Sequence, residues 1–154
     1  CLIGLFGNIE QIKFLIEKDY NFYYEEIGEI PSINANDLVG IGFFTSFYMN
    51  PQFTLNKCDG LKNNLTINCK DNVAFMIGKK VIGDLVGQKE ICLTLGDYKD
   101  SCLKGVGNYI AWNNYPSLNK SLNICSNLDK NKDNINMCKL GALKFFKETI
   151  IKNT

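Results

Sequence analysis

At 154 residues, 45% of them apolar, the chain is long enough to bury one real core. Its 17 lysines stand against 16 acidic residues, a net charge of +1 without any basic block, so the electrostatic footprint of a nucleic-acid binder is missing. No histidine is present, which excludes Ser-His-Asp and Cys-His catalytic sets and mixed Cys/His zinc sites.

Residues 1–18 place Leu2, Leu5, Ile9, Ile12, Leu15 and Ile16 at helical spacing, as one helix or as two short ones broken near Gly7-Asn8. The following NFYYEEIGEI reads as helix by register, although its aromatic residues also suit a strand. Residues 31–36 form a loop, and Asn36 or Asp37 caps the next helix, which carries Leu38, Ile41, Phe44, Phe47 and Tyr48. Asn50-Pro51 ends that helix and starts another, with Pro at the first helical position, which stops near Gly60.

A polar loop then runs to Cys69, and a helix is expected directly after it, with Asp71 in its first turn where negative charge suits the helix dipole. A turn near Gly83-Asp84 leads to LVGQKEICLTL, and residues 96–100 make a tight connection before Cys102. Asn113-Asn-Tyr-Pro116 separates two further helices. The last helix follows Cys138 and presents Leu140, Leu143, Phe146 and Ile150 as one stripe. No apolar run is long enough to span a bilayer.

The seven cysteines bracket short polar loops, and no C-x2-C pair offers a four-thiolate site, so disulfides and an oxidising compartment are expected. The chain has neither an initiating Met nor a signal-like start, which reads as a mature form or a fragment. Self-similarity at roughly 33–36 residues is the range of helix-hairpin repeats. Its register points fall at Cys1, Asp37, Cys69, Cys102 and Cys138, within a single domain covering residues 1–154. In such an array the end of one hairpin lies near the start of the next. The spacing therefore predicts Cys58–Cys69, Cys92–Cys102 and Cys125–Cys138, each closing a loop worth roughly 2.5–3 kcal/mol in the chain-entropy model.

Cys1 is left over. A free thiol, a bond to another chain, loss of its partner by trimming, and lipid attachment all stand open for it. Gly4, Gly40, Gly105 and Gly141 recur in register, which points to close backbone approach where neighbouring repeats cross. Asn64 and Asn119 head N-x-S/T sequons and are candidate glycosylation sites. Asp129, Asn131 and Asp133 match the first ligand positions of a calcium loop. Asn134 replaces the required Gly and Leu140 the bidentate Glu, so no metal is expected there. Glu25, Glu26 and Glu29 are the carboxylates nearest to a catalytic cluster, and a solvated helix face explains them as well.

The paired cysteines with Gly three residues on, followed by apolar helix, resemble disulfide-linked α-hairpin repeats of secreted prokaryotic proteins. They are similar in architecture to TPR, Sel1-like and HEAT arrays, best from Asp37 onward. The resemblance implies an all-α solenoid of antiparallel hairpins used for scaffolding or binding, without catalytic residues. The expectation is therefore a non-catalytic, secreted or cell-surface scaffold without cofactors, self-associating as a homo-oligomer or filament. The alternative is a monomeric peptide- or glycan-binding module using aromatic residues such as Tyr109, Trp112 and Tyr115. A carbohydrate-active enzyme is the third reading.

Overall fold

The computed structural model describes residues 50–60, 65–81 and 83–153. The expected elements before Asn50, the register points at Cys1 and Asp37, the state of Cys1, the carboxylates Glu25, Glu26 and Glu29, and Asn64 lie outside these residues. The described residues are helical, with no strand among them. The chain divides into two compact units, Cys1–Val73 and Ala74–Thr154.

In the first unit, helix α1 spans Pro51–Asn56. Asn50 caps it, its Oδ1 accepting from the Phe53 N–H at 2.7 Å, and Pro51 occupies the first turn, where its missing N–H costs nothing. The chain tightens into a 3-10 turn over Lys57–Gly60. Cys58 in that turn is bonded to Cys69, at a Cα separation of 5.8 Å. An ion pair of Lys70 with Asp59 lies beside the bridge. Helix α2, Leu65–Lys79, starts four residues before Cys69, where a loop had been expected. Its Asn- and Thr-containing first turn reads as loop by propensity, and the bond at Cys69 holds it against Cys58.

The second unit begins inside α2. Helix α3, Leu85–Leu93, is capped by Asp84, whose Oδ1 accepts from the Gly87 N–H at 2.6 Å. A 3-10 turn over Gly96–Tyr98 leads into α4, Lys99–Asn114. A turn at Tyr115-Pro116, whose peptide bond is cis, leads to α5, Leu118–Leu128, and then to α6, Lys132–Asn153. Disulfides join Cys92 to Cys102 and Cys125 to Cys138, at Cα separations of 5.3 and 5.6 Å, inside the range that an unstrained bridge accepts. All six bonded cysteines are buried. Like α2, helix α6 starts before its cysteine, so Cys138 sits in its second turn, away from the helix head.

Helix α4 is the centre of this unit, packing on α3, α5 and α6. It also crosses the end of α2, and at two of its crossings glycine is the means. A Cβ on Gly78 would lie 2.8 Å from the carbonyl carbon of Cys102, and one on Gly105 would lie 3.0 Å from the Gly78 Cα. At the α4–α6 crossing, a Cβ on Gly107 would lie 2.7 Å from the Cys138 carbonyl carbon, and one on Gly141 2.7 Å from the Lys104 Cα. Backbone rests on backbone at both places, which only a residue without a side chain allows.

This contact corrects the expected face of the last helix. Leu140, Leu143 and Ile150 are exposed, and of the expected stripe only Phe146 is buried. The inward face of α6 is built instead from Asn134, Cys138, Gly141, Ala142 and Phe146, because helices this close have room only for small side chains at the crossing. Below it, Ala111, Ala142 and Phe146 form a core cluster against which Leu118, Leu122 and Phe145 pack.

Candidate functional site

Three helices of the second unit leave a grooved surface between them. The end of α2 supplies Phe75 and Lys79, one turn apart on one face. Helix α4 supplies Asn108, Tyr109 and Trp112 at i, i+1 and i+4, and α6 supplies Lys144, Phe145 and Glu148 at the same spacing. These residues line two adjoining hollows of about 220 and 300 Å³, which share Lys79, Asn108 and Phe145. The larger sits at the lower end of the range of small-molecule sites, about 300–1,000 Å³.

Asn108 is the unusual residue. It is only 4% exposed in the middle of α4, and its side-chain amide forms no hydrogen bond among the described residues. Asn is a poor helix former, yet the amide is not sealed from solvent: among the described residues the enclosed side-chain atom without a partner is Asn134 Oδ1. Here the amide borders both hollows and its open donor and acceptor positions serve whatever enters them.

Around it the walls are cationic and aromatic. The Lys144 Nζ lies 5.0 Å from the centre of the Phe75 ring and the Lys79 Nζ 5.9 Å from the same ring, so two ammonium groups stand by one aromatic side chain. The Lys79 pKa lies below the usual lysine value, chiefly through desolvation; Glu148 opposes the shift and the like charge of Lys144 adds to it. The Glu148 carboxylate stands 3.9 Å from the Lys144 Nζ.

Of the aromatic residues singled out in the sequence, Tyr109 and Trp112 border the larger hollow, and Trp112 is 64% exposed. Tyr115 does not line the groove. Its ring lies 5.8 Å from that of Phe146 and 6.3 Å, edge-on, from that of Phe145, so it braces the wall from behind. Lys79, Asn108, Lys144 and Phe145 were not singled out from sequence. An Asn between Gly107 and Tyr109, within a helix otherwise buried there, was the available signal.

The other candidates have structural employment. The Asp129 carboxylate accepts from the backbone N–H groups of Lys130 and Asn131 at 2.6 and 3.0 Å and from the Asn134 amide at 2.9 Å. These bonds, led by that from the Asn131 N–H, hold its pKa below the usual carboxylate value. Asn131 accepts in turn from the Asp133 N–H at 2.8 Å, and the segment serves as the cap of α6. Among the described residues no group of three or more Cys, Asp or Glu side chains could hold a metal ion. Asn119 is exposed in the first turn of α5, whereas the Ser121 of its sequon is buried and donates to the Ser117 carbonyl at 3.0 Å.

No protein-family model, no curated protein and no solved structure matches the chain.

Proposed function

We propose that this chain is a non-catalytic scaffold of disulfide-pinned helical hairpins, acting outside the cell or at its surface, and that it works by binding through the groove of α2, α4 and α6. The observation that carries the reading is Asn108, whose amide borders both hollows without a hydrogen-bond partner among the described residues, with the exposed Trp112 beside the larger one. A TPR-, Sel1- or HEAT-like succession of hairpins accounts for the regular cysteine pairs and for the glycines at the crossings. Three disulfides suit an oxidising compartment, and no helix among the described residues is long and apolar enough to cross a membrane. The groove carries the single carboxylate Glu148 among its described residues, whereas glycoside hydrolysis generally takes two.

The test is a panel of immobilised glycans and peptides probed with the disulfide-closed chain and with Trp112→Ala. The reading expects a binder in one of these classes whose retention falls with Trp112→Ala. A correctly bonded chain that retains nothing from either class overturns it.

A second reading, self-association into an oligomer or filament, is favoured by Leu140 and Leu143, which are 48% and 43% exposed on the outer side of α6. Light scattering decides it: mass that grows with concentration and collapses in Leu140→Lys/Leu143→Lys supports assembly, and a constant monomer mass removes it. Phe146→Asp does not serve here, because Phe146 belongs to the core and its charge would unfold the unit.

A further inference from the structure

Resting on the reading of the groove as a binding surface, we infer that its ligand is an acidic sugar residue, a pyranose ring carrying a carboxylate, as part of a glycan. Three features converge on that chemistry. Trp112 is 64% exposed beside the larger hollow, and an indole is a flat apolar platform for the C–H face of a pyranose. Asn108 offers a donor pair and an acceptor from one rigid amide, the set that adjacent ring hydroxyls take up. Lys79 and Lys144 stand by the Phe75 ring and, with Lys152, line the adjoining hollow, where a carboxylate would find three ammonium groups against the single carboxylate of Glu148.

The order of these groups matters as much as their presence. Lys79, Asn108 and Phe145 border both hollows, so platform, amide and cations lie along one continuous path in that sequence. A neutral sugar would use the platform and the amide and leave the lysines of the smaller hollow unused. An acidic peptide would use the cations, while a flexible chain gains less from a flat indole and a fixed amide. Glu148 works against the ligand: its carboxylate borders the smaller hollow next to Lys144 and competes for the same cation.

Trp112 is the chain's single tryptophan, so its emission reports on the groove alone. The experiment titrates the disulfide-closed chain with oligosaccharides ending in glucuronic acid or N-acetylneuraminic acid, with their neutral counterparts, and with oligo-glutamate, following Trp112 emission and heat of binding. The inference expects either acidic sugar to bind at least about tenfold more tightly than its neutral counterpart, with a preference that fades as salt is raised. Lys79→Gln and Lys144→Gln, both at exposed positions, each lower affinity about tenfold, and Asn108→Asp abolishes binding. Glu148→Gln tightens it, an effect that a purely structural role would not produce.

Equal binding of acidic and neutral sugars overturns the inference, as does a Glu148→Gln variant that binds no better. Binding of oligo-glutamate in place of the sugars, lost in Trp112→Ala, overturns the inference and leaves the groove a binding surface for peptide. No response to any of these probes overturns the inference, while the panel of glycans and peptides above decides the broader reading separately.

Discussion

Gly107 tests the close crossing of α4 and α6, because there the sign of the effect decides. In an ordinary exposed helix, Gly→Ala gains about 1 kcal/mol of helix propensity. At Gly107 the new Cβ would lie 2.7 Å from the Cys138 carbonyl carbon and 3.0 Å from the Ala142 nitrogen, with the Cys138 oxygen nearer still. Comfortable separations are about 3.5–4.0 Å, so the two helices must part by roughly 1 Å. The obstacle is backbone, which cannot rotate away, so the cost belongs at the upper end of overpacking, about 3 kcal/mol. Net of the propensity gain, Gly107→Ala should lose about 2 kcal/mol, a fall in Tm of roughly 8–16 °C for a unit of this size. The control is Gly87→Ala in α3, where the nearest atom is the flexible Asp84 Oδ1 at 3.3 Å; it should be neutral or gain up to about 1 kcal/mol. Thermal unfolding by circular dichroism under non-reducing conditions reads both. A Gly107→Ala chain as stable as the parent, or more so, refutes the backbone-to-backbone crossing.

Removing the bridge between α5 and α6 with Cys125→Ser/Cys138→Ser should cost roughly 3 kcal/mol, from the loop it closes, measured as a lower urea midpoint. A midpoint that hardly moves would show that this bridge adds little. Asp129 carries a pH dependence. Its pKa is lowered in the folded state, so its stabilisation is complete above the ordinary value of 3.8 and is lost as pH falls through the lowered value. Asp129→Asn should therefore flatten the acid limb of the Tm–pH curve below that point, and an acid limb identical to the parent's would contradict the cap.

Much of the helical scaffold was legible in the sequence because caps and turn residues act locally. Asn50-Pro51, Asp84 and the Tyr115-Pro116 turn mark boundaries through their own backbone chemistry. Neighbouring cysteines bracketing a loop pointed to the bonds for a similar reason, since a sequence separation of only 10 to 13 keeps them close. Gly105 and Gly141 were legible as crossing points, but their consequence was not. A crossing that close reserves the inner face of α6 for small residues and turns Leu140 and Leu143 outward, against what apolar periodicity alone suggests. The starts of α2 and α6 were missed because their first turns carry Thr and Asn, and Asp and Asn, which are poor helix formers, and burial of the cysteine a turn later outweighs that propensity. The groove was half visible, in Tyr109 and Trp112. Lys79, Asn108 and Lys144 come from three helices far apart in sequence, and only packing brings them together.

The most direct test of the central claim is to watch the Asn108 side-chain amide itself, by its paired N–H signals in a nitrogen–proton correlation spectrum, assigned with Asn108→Asp. In the free chain these protons should exchange with water and shift with temperature as groups lacking a protein acceptor do. Saturating glucuronic acid oligosaccharide should move both signals together with the Trp112 indole N–H. An Asn108 amide already protected in the free chain, or unmoved while the Trp112 signal shifts, would contradict the account.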